Sequence, residues 1–568
     1  MSSAQAAAGR RTRPGRRGRC RSVGPAQAAA DDAAREAREL SRVTQREASP
    51  GATAFALPGA CAGRGAGRRM RRRAADTAAV APRRLLRLRP APLLRALCAF
   101  AALLAALLAL RTLLPRRAAA AAHAPPADAP AGGRILVAAF ATGHVTDFVR
   151  SWTLRVAAVG VPAADVRVAA LDDVAAAACA AAGIACSRHA AVTADGFARA
   201  ATGGASLGAD MTQAGRGAAP PAEGAEAFRR VGRAKVAFLL RLLQGKDGND
   251  DVDDAAASDA DVAGVLLLDL DVALLSDPRP FLATHAAVVA SDVAFAAECV
   301  SAAADAAQRG CTAGGFNTGV VFAKRTPAAL ALLATWRDGF ATPAEPHEHD
   351  QGLLNRLLRP SAGRAGPPPR AGPWLFRAPQ AAGGALVAQL PVASFAGGHT
   401  YWVQRAALRG MPQPLAVHAT FTFSHALGKR QRLREARLWE ADPPSYYASG
   451  RFISYDTEAL LHDAFGGDEA RMTGLQAHFL IAAWHRAALH STLALARALN
   501  RTLIVPRLRC ACDRWWGNVL PACAVPGADV ALPFACPMDH LFFLPNWAEA
   551  GIDFREQGTY INMGAVLL

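Results

Sequence analysis

The chain lacks several features that would assign it to a simple class. It has no internal repeat, which sets aside solenoids and propellers. No cysteine pair has the Cys-x2-Cys spacing of a zinc knuckle: after Cys510 and Cys512, Cys523 comes eleven residues on and Cys536 thirteen beyond that. Aromatic residues make up only 7% of the whole. They are scarce among the arginines, alanines and glycines of residues 1–90, so that stretch has too little to bury and is expected to be a disordered basic tail. The longest uninterrupted apolar run, Ala96–Leu110, is shorter than the ~20 residues that cross a bilayer unaided. The acid-rich stretch from Lys246 to Asp261 does not follow the order of a complete calcium loop and reads as a solvated connector.

What is present bounds the answer further. At 568 residues the chain exceeds a single hydrophobic core, so two folded regions plus tails are expected. The net charge of +18 resides largely in the first 120 residues, for example Arg68, Arg69 and Arg71 to Arg73. A nucleic-acid-binding protein would instead place basic charge with interleaved aromatics on its folded surface, so no nucleic-acid partner is expected. Pro92–Leu114 spans a membrane only with Arg95 and Arg111 reaching to the interfaces. The basic run before it favours a cytosolic amino terminus, so the expectation is one signal anchor followed by a stem over 115–133. A cleaved signal, a buried helix and a transit peptide are the competing readings of that segment. In a secretory lumen the four late cysteines would form disulfides. Asn500-Arg501-Thr502 is an acceptor sequence for N-glycosylation.

Strand and helix signals alternate from Arg134 onward. Arg134–Phe140 reads as a strand, Asp147–Ala158 as a helix, Val166–Leu171 as a strand and Val174–Ala182 as a helix with Gly183 just past its end. That alternation predicts a parallel sheet and a nucleotide-binding type of core. Further helices are expected near 223–243, over Thr326–Trp336 and from Asp350, with a strand alternating over Leu415–Phe423. Beyond about Leu433 the character changes. Leu475–Ala498 reads as one long helix or two, and Thr502–Val505 as a strand.

The stretch Leu266-Leu267-Leu268-Asp269-Leu270-Asp271 is where a buried strand ends in charge. Its apolar run has no alternation, as in a strand covered on both faces, and extended backbone would point the two acids to one side. At the carboxyl end of an α/β sheet they could hold a divalent cation. The bland reading is a pair of solvated acids. Paired carboxylates doing acid–base work in a hydrolase are a third reading.

Several positions together resemble a known family. They are the opening strand with Phe140 and Thr142, Lys235, Asp269 and Asp271 with Asp277-Pro278, Asn317-Thr318-Gly319, Asp350-Gln351 with Asn355, and His418. With Gly428-Lys429-Arg430-Gln431-Arg432, Tyr446-Tyr447, Arg501-Thr502-Leu503-Ile504-Val505-Pro506, Cys510, Cys512, Cys523, Cys536 and Asp539-His540, the chain resembles the plant and algal nucleotide-sugar transferases of glycosyltransferase family 77, most of all the extensin arabinosyltransferases. It departs from them in the acidic insertion, the long amino terminus and Ala273, where the family has an aromatic residue.

The resemblance implies an α/β GT-A core with a mostly parallel central sheet over 134–447 and a cysteine-containing α/β extension over 448–568. It implies a retaining, metal-dependent transferase in the Golgi membrane. Such an enzyme would move a pentose, L-arabinofuranose, from a UDP-sugar to a hydroxyproline-rich glycoprotein. Xylosyl or galactosyl transfer to a cell-wall glycan, and a non-catalytic glycan-binding domain, are the alternatives. Asp271 would ligate Mn2+ or Mg2+, Asp269 would hold the ribose or a metal-bound water, and His418 would be the third protein ligand. Lys429 would clamp the diphosphate, and Thr142 and Lys235 would border the nucleotide. Asn317 would place the sugar, and Asp350 and Gln351 would face the sugar and the acceptor hydroxyl.

Overall fold

The computed structural model describes residues 133–189, 222–245, 261–307, 315–342, 348–359, 370–372, 374–467, 472–515, 518–519 and 522–560. The tail, the anchor segment Pro92–Leu114, the stem and most of the acid-rich connector lie outside these residues. Among the described residues no helix is long and apolar enough to cross a membrane.

The centre of the molecule is a nine-stranded sheet. It contains β1 (Arg134–Ala141), β2 (Val166–Ala170), β3 (Cys186–Arg188), β4 (Val262–Leu268), β6 (Val293–Ala297), β7 (Phe316–Lys324), β8 (Arg370–Gly372), β9 (Leu375–Arg377) and β10 (Leu386–Gln389). Their spatial order is β3-β2-β1-β4-β7-β6-β10-β9-β8. β3, β2, β1 and β4 run parallel, and β6 and β10 share their direction. β7 is reversed between β4 and β6, and β9 is reversed against β10. The strand-helix alternation predicted a parallel sheet, and β7, antiparallel to both β4 and β6, departs from it.

Helices on both faces explain why β4 lacks alternation. Leu136, Val265 and Leu267 pack with Phe238, Leu239 and Trp336 from α3 (Ala222–Leu243) and α4 (Pro327–Gly339). Val137, Leu266 and Leu268 turn the other way, onto Val149, Trp152 and Val156 of α1 (Thr146–Ala158). Each strand residue therefore meets protein whichever way it points. α2 (Asp173–Ala181) is capped by Asp172, whose carboxylate accepts from Ala175 N, and a disulfide from Cys179 to Cys186 ties it to β3.

The chain leaves the main sheet directly after β4. Leu270 and Asp271 occupy a turn closed by Val272 N donating to Asp269 O, and β5 (Val272–Leu274) then joins a separate three-stranded sheet, β11-β12-β5. In it are β11 (Phe395–Gly397) and β12 (Ala416–His418). The strand predicted over Leu415–Phe423 is cut short, since Phe421 adopts a left-handed φ of 54° that no ladder accommodates. α5 (Asp350–Leu357) and α6 (His425–Glu435) complete this end of the core.

Beyond it, β14 (Thr502–Val505) lies between β13 (Phe452–Ile453) and β19 (Phe554–Glu556). Leu475–Ala498 is one helix of 24 residues, α7. β15 (Leu508–Cys510) pairs with β18 (Phe534–Cys536), and β16 (Arg514–Trp515) with β17 (Asn518–Val519). The late cysteines form the disulfides Cys510–Cys536 and Cys512–Cys523, as the clustering suggested. The architecture is thus α/β with a mostly parallel central sheet, as expected, followed by further α/β elements.

Candidate metal and nucleotide-sugar site

One edge of the sheet gathers the carboxyl ends of β1, β4 and β6 with the start of the reversed β7. Asp269 and Asp271 leave β4 there, and Asp269 N donates to Gly319 O across to β7. The acids come together through a turn rather than through continuous extended backbone. β12 pairs with β5 and places His418 opposite Val272, one residue beyond Asp271. Ligand atoms of Asp269, Asp271 and His418 all lie within 4.8 Å of one another. His418 Nε2 is 3.4 Å from Asp271 Oδ1 and 4.0 Å from Asp269 Oδ2.

The neighbours of His418 settle which nitrogen faces the acids. Its Nδ1 lies 3.1 Å from Asn317 Oδ1, an acceptor whose oxygen also takes the Gly319 N–H. An amide oxygen offers no hydrogen, so Nδ1 is the donor to Asn317 and Nε2 is the nitrogen that faces the acids. That is how a metal-ligating histidine is oriented from its second nitrogen. Two carboxylates and one imidazole nitrogen fit a divalent cation.

Each acid also has a cation. Lys429 Nζ on α6 lies 2.6 Å from Asp271 Oδ2. Burial would raise the Asp271 pKa, but Lys429 and His418 hold it well below the ordinary carboxylate range. Lys235 on α3 donates to Asp269 Oδ1 at 2.8 Å and to Asp350 Oδ2 at 3.2 Å. Burial alone would depress the Lys235 ammonium, and the two carboxylates instead push its pKa well above the usual lysine value. Asp350 is likewise drawn far down against its burial, first by Lys235 and then by His349 and the Thr318 hydroxyl, which donates to it at 2.7 Å.

Asn317, Gln351 and Asn355 belong to a second network. Gln351 Nε2 and Asn317 Nδ2 both donate to Glu298 Oε1, at 2.9 and 3.2 Å. Asn355 ties the start of β7 to α5: its Oδ1 accepts from Phe316 N and its Nδ2 donates to the Phe316 and Gln351 carbonyls. A small pocket beside the cluster is lined by Glu298, Asn317, Gly397, His418 and Thr420.

Sequence reasoning thus named Lys235, Asp269, Asp271, Asn317, Asp350, Gln351, His418 and Lys429, and the fold brings all eight to one sheet edge. Thr142 is buried just past β1 at the same edge, with its carbonyl accepting from Val145 N, but among the described residues no hydrogen bond or ion pair joins it to the cluster. Glu298 was missed, although it ends the apolar run of β6 as Asp269 ends that of β4. The Thr318 hydroxyl was missed as well.

Comparison with known proteins gives this geometry a class. Residues 263–433 match the nucleotide-diphospho-sugar transferase family. Arabinosyltransferase XEG113 of Arabidopsis thaliana is 32% identical over 324 residues, which is 56% of this chain and 45% of that protein. The chain therefore spans less than half the length of that relative. Among solved structures, the galactosyltransferase LgtC with donor and acceptor sugar analogues is similar at 14% identity, covering 56% of this chain and 99% of that one with a TM-score of 0.28. Mouse xyloside xylosyltransferase 1 is similar at 11% identity, covering 50% and 97% with a TM-score of 0.26. These similarities support a nucleotide-sugar transferase of the glycosyltransferase family 77 type.

Proposed function

We propose that the chain is a metal-dependent, retaining glycosyltransferase that moves a pentose, L-arabinofuranose, from its UDP-sugar to an arabinosylated hydroxyproline-rich glycoprotein. The observation that carries this reading is the convergence of Asp269, Asp271 and His418, its ring oriented by Asn317, beside the buried Lys429. Asp269, Asp271 and His418 would hold Mn2+ or Mg2+, and such an ion supplies positive charge to the departing diphosphate. Lys429 binds the diphosphate from the α6 side. Lys235 and Thr142 border the nucleotide, and Asn317 and Gln351, fixed through Glu298, orient the sugar.

Asp350 suits electrostatic stabilisation better than attack. Its Oδ2 is occupied by Lys235 and Thr318, and a carboxylate so strongly held in its ionised form is weakly basic and a poor nucleophile. Its charge would stabilise a cationic anomeric centre that develops beside it. The identity to an arabinosyltransferase supports the pentose. Residence in the Golgi membrane through a single amino-terminal anchor accompanies this reading.

A donor panel tests it. Full-length protein is given UDP-arabinofuranose, UDP-xylose or UDP-galactose with Mn2+ and an arabinosylated hydroxyproline peptide, and the product's anomeric configuration is read by NMR. Turnover restricted to UDP-xylose or UDP-galactose would replace the pentose assignment with xylosyl or galactosyl transfer. Binding of UDP-sugar with neither transfer nor hydrolysis would make the domain a glycan- or nucleotide-binding module.

A further inference from the structure

The segment joining His418 to Lys429 is unusual backbone. Phe421 and His425 both sit at a φ of 54°, a left-handed conformation that side-chain-bearing residues adopt only when their surroundings hold them there. The restraint comes from the far end of the chain. Arg432, one turn after Lys429 on α6, is fully buried and donates from Nη2 to Phe421 O at 2.8 Å. The same guanidinium reaches Asp539 Oδ1 through Nη2 at 2.8 Å and Nε at 3.2 Å. Asp539, also fully buried, accepts from Phe423 N with Oδ2 at 2.7 Å. Nearby, Ser424 Oγ accepts from Leu544 N at 3.0 Å. A Cβ at Gly428, next to Lys429, would lie 2.8 Å from Asp539 Oδ2, so the carboxylate packs directly on the helix that carries the lysine.

Resting on the metal and diphosphate roles given to His418 and Lys429 above, we infer that Asp539 is a positioning residue of the donor site. The carboxy-terminal extension completes that site by fixing, through Arg432, the left-handed segment between the metal-ligating histidine and the phosphate-binding lysine. The residue touches no reacting atom. It lies outside the region 263–433 that matches the transferase family, so this family region would not form a working site alone.

The test uses full-length Asp539→Asn and Gly428→Ala, with Lys429→Ala as reference. Asparagine removes the charge while keeping the shape, and the alanine methyl pushes α6 off an intact carboxylate. Expected for both is a rise of about tenfold or more in donor KM and in the Mn2+ concentration for half-maximal turnover, with acceptor KM within about twofold. Merely structural damage would lower kcat in proportion to the folded fraction and leave the donor and metal constants unchanged. That result, or wild-type kinetics in both variants, overturns the inference. Should Asp539→Asn not fold, Gly428→Ala decides alone. If Lys429→Ala itself keeps wild-type donor KM and kcat, the diphosphate role fails, and that outcome is separate from failure at Asp539.

Discussion

The most discriminating perturbation of the metal site avoids every proposed ligand. A Cβ on Gly319 would sit 2.1 Å from His418 Cε1, 2.6 Å from Nδ1 and 2.9 Å from Nε2. Ordinary van der Waals contact begins near 3.4 Å, so in Gly319→Ala the ring must retreat by about 1.3 Å. It cannot do so by sliding its strand, because β12 is paired on both sides, with β5 and β11. The ring must turn about its side-chain bonds, which breaks the Nδ1 contact to Asn317. Metal–ligand distances tolerate only about 0.2 Å, so His418 is lost as a ligand while Asp269 and Asp271 are untouched. The expected cost is about 10- to 100-fold in Mn2+ affinity, or ~1.4–2.7 kcal/mol, together with ~1–3 kcal/mol of stability from overpacking. Titration calorimetry of Mn2+ with UDP and a urea denaturation curve measure the two. Unchanged Mn2+ affinity in a folded Gly319→Ala protein would refute the assignment of His418 as a ligand.

Three further outcomes follow from the geometry. Asp271→Asn should abolish metal-stimulated turnover, by about 10³-fold or more, while thermal unfolding shows the fold retained; residual turnover near wild type would count against the site. Lys235→Met leaves Asp269 and Asp350 without their shared buried cation and should cost ~3–5 kcal/mol in urea, whereas adding Asp350→Asn should recover part of that loss; equal stability of single and double variants would show that the acids do not depend on Lys235. Glu556 is buried beside Tyr446, and burial raises its pKa from 4.5 to about 7 against the opposing pull of Arg434. Between those values the unfolded chain releases a proton that the folded one keeps, so stability falls as pH rises from about 4.5 to about 7, by ~3 kcal/mol in all. Glu556→Gln should flatten that slope, and a melting-temperature profile unaltered by the substitution would contradict the reading.

Much of the site was legible because its residues stand where local pattern changes. Asp269 ends an unbroken apolar run, Asp350-Gln351 opens a helix, and Lys235 lies within a helical stretch. Glu298 follows Val293–Ala297 in the same manner and could have been found by the same rule. The turn at Leu270–Asp271 and the departure of β5 from the main sheet were hidden, since the apolar residues on either side of the acids fit one strand or two equally well. The reversed direction of β7 was hidden too, because nothing local in an apolar strand states its direction. Arg432 and Asp539 were read only as parts of a resemblance. Their pairing spans 107 residues, and no short-range signal could announce it.

The acid-rich connector between α3 and β4 has a practical consequence. It enters the sheet at Val262, the end of β4 opposite Asp269, and the seven residues of that strand set the two ends about 20 Å apart. The points where the connector leaves α3 and enters β4 therefore both lie away from the candidate site, joined through Arg325, which donates to Leu243 O and Ala263 O. That makes the connector the natural place to splice an affinity handle or a fluorescent reporter, leaving both termini as they are.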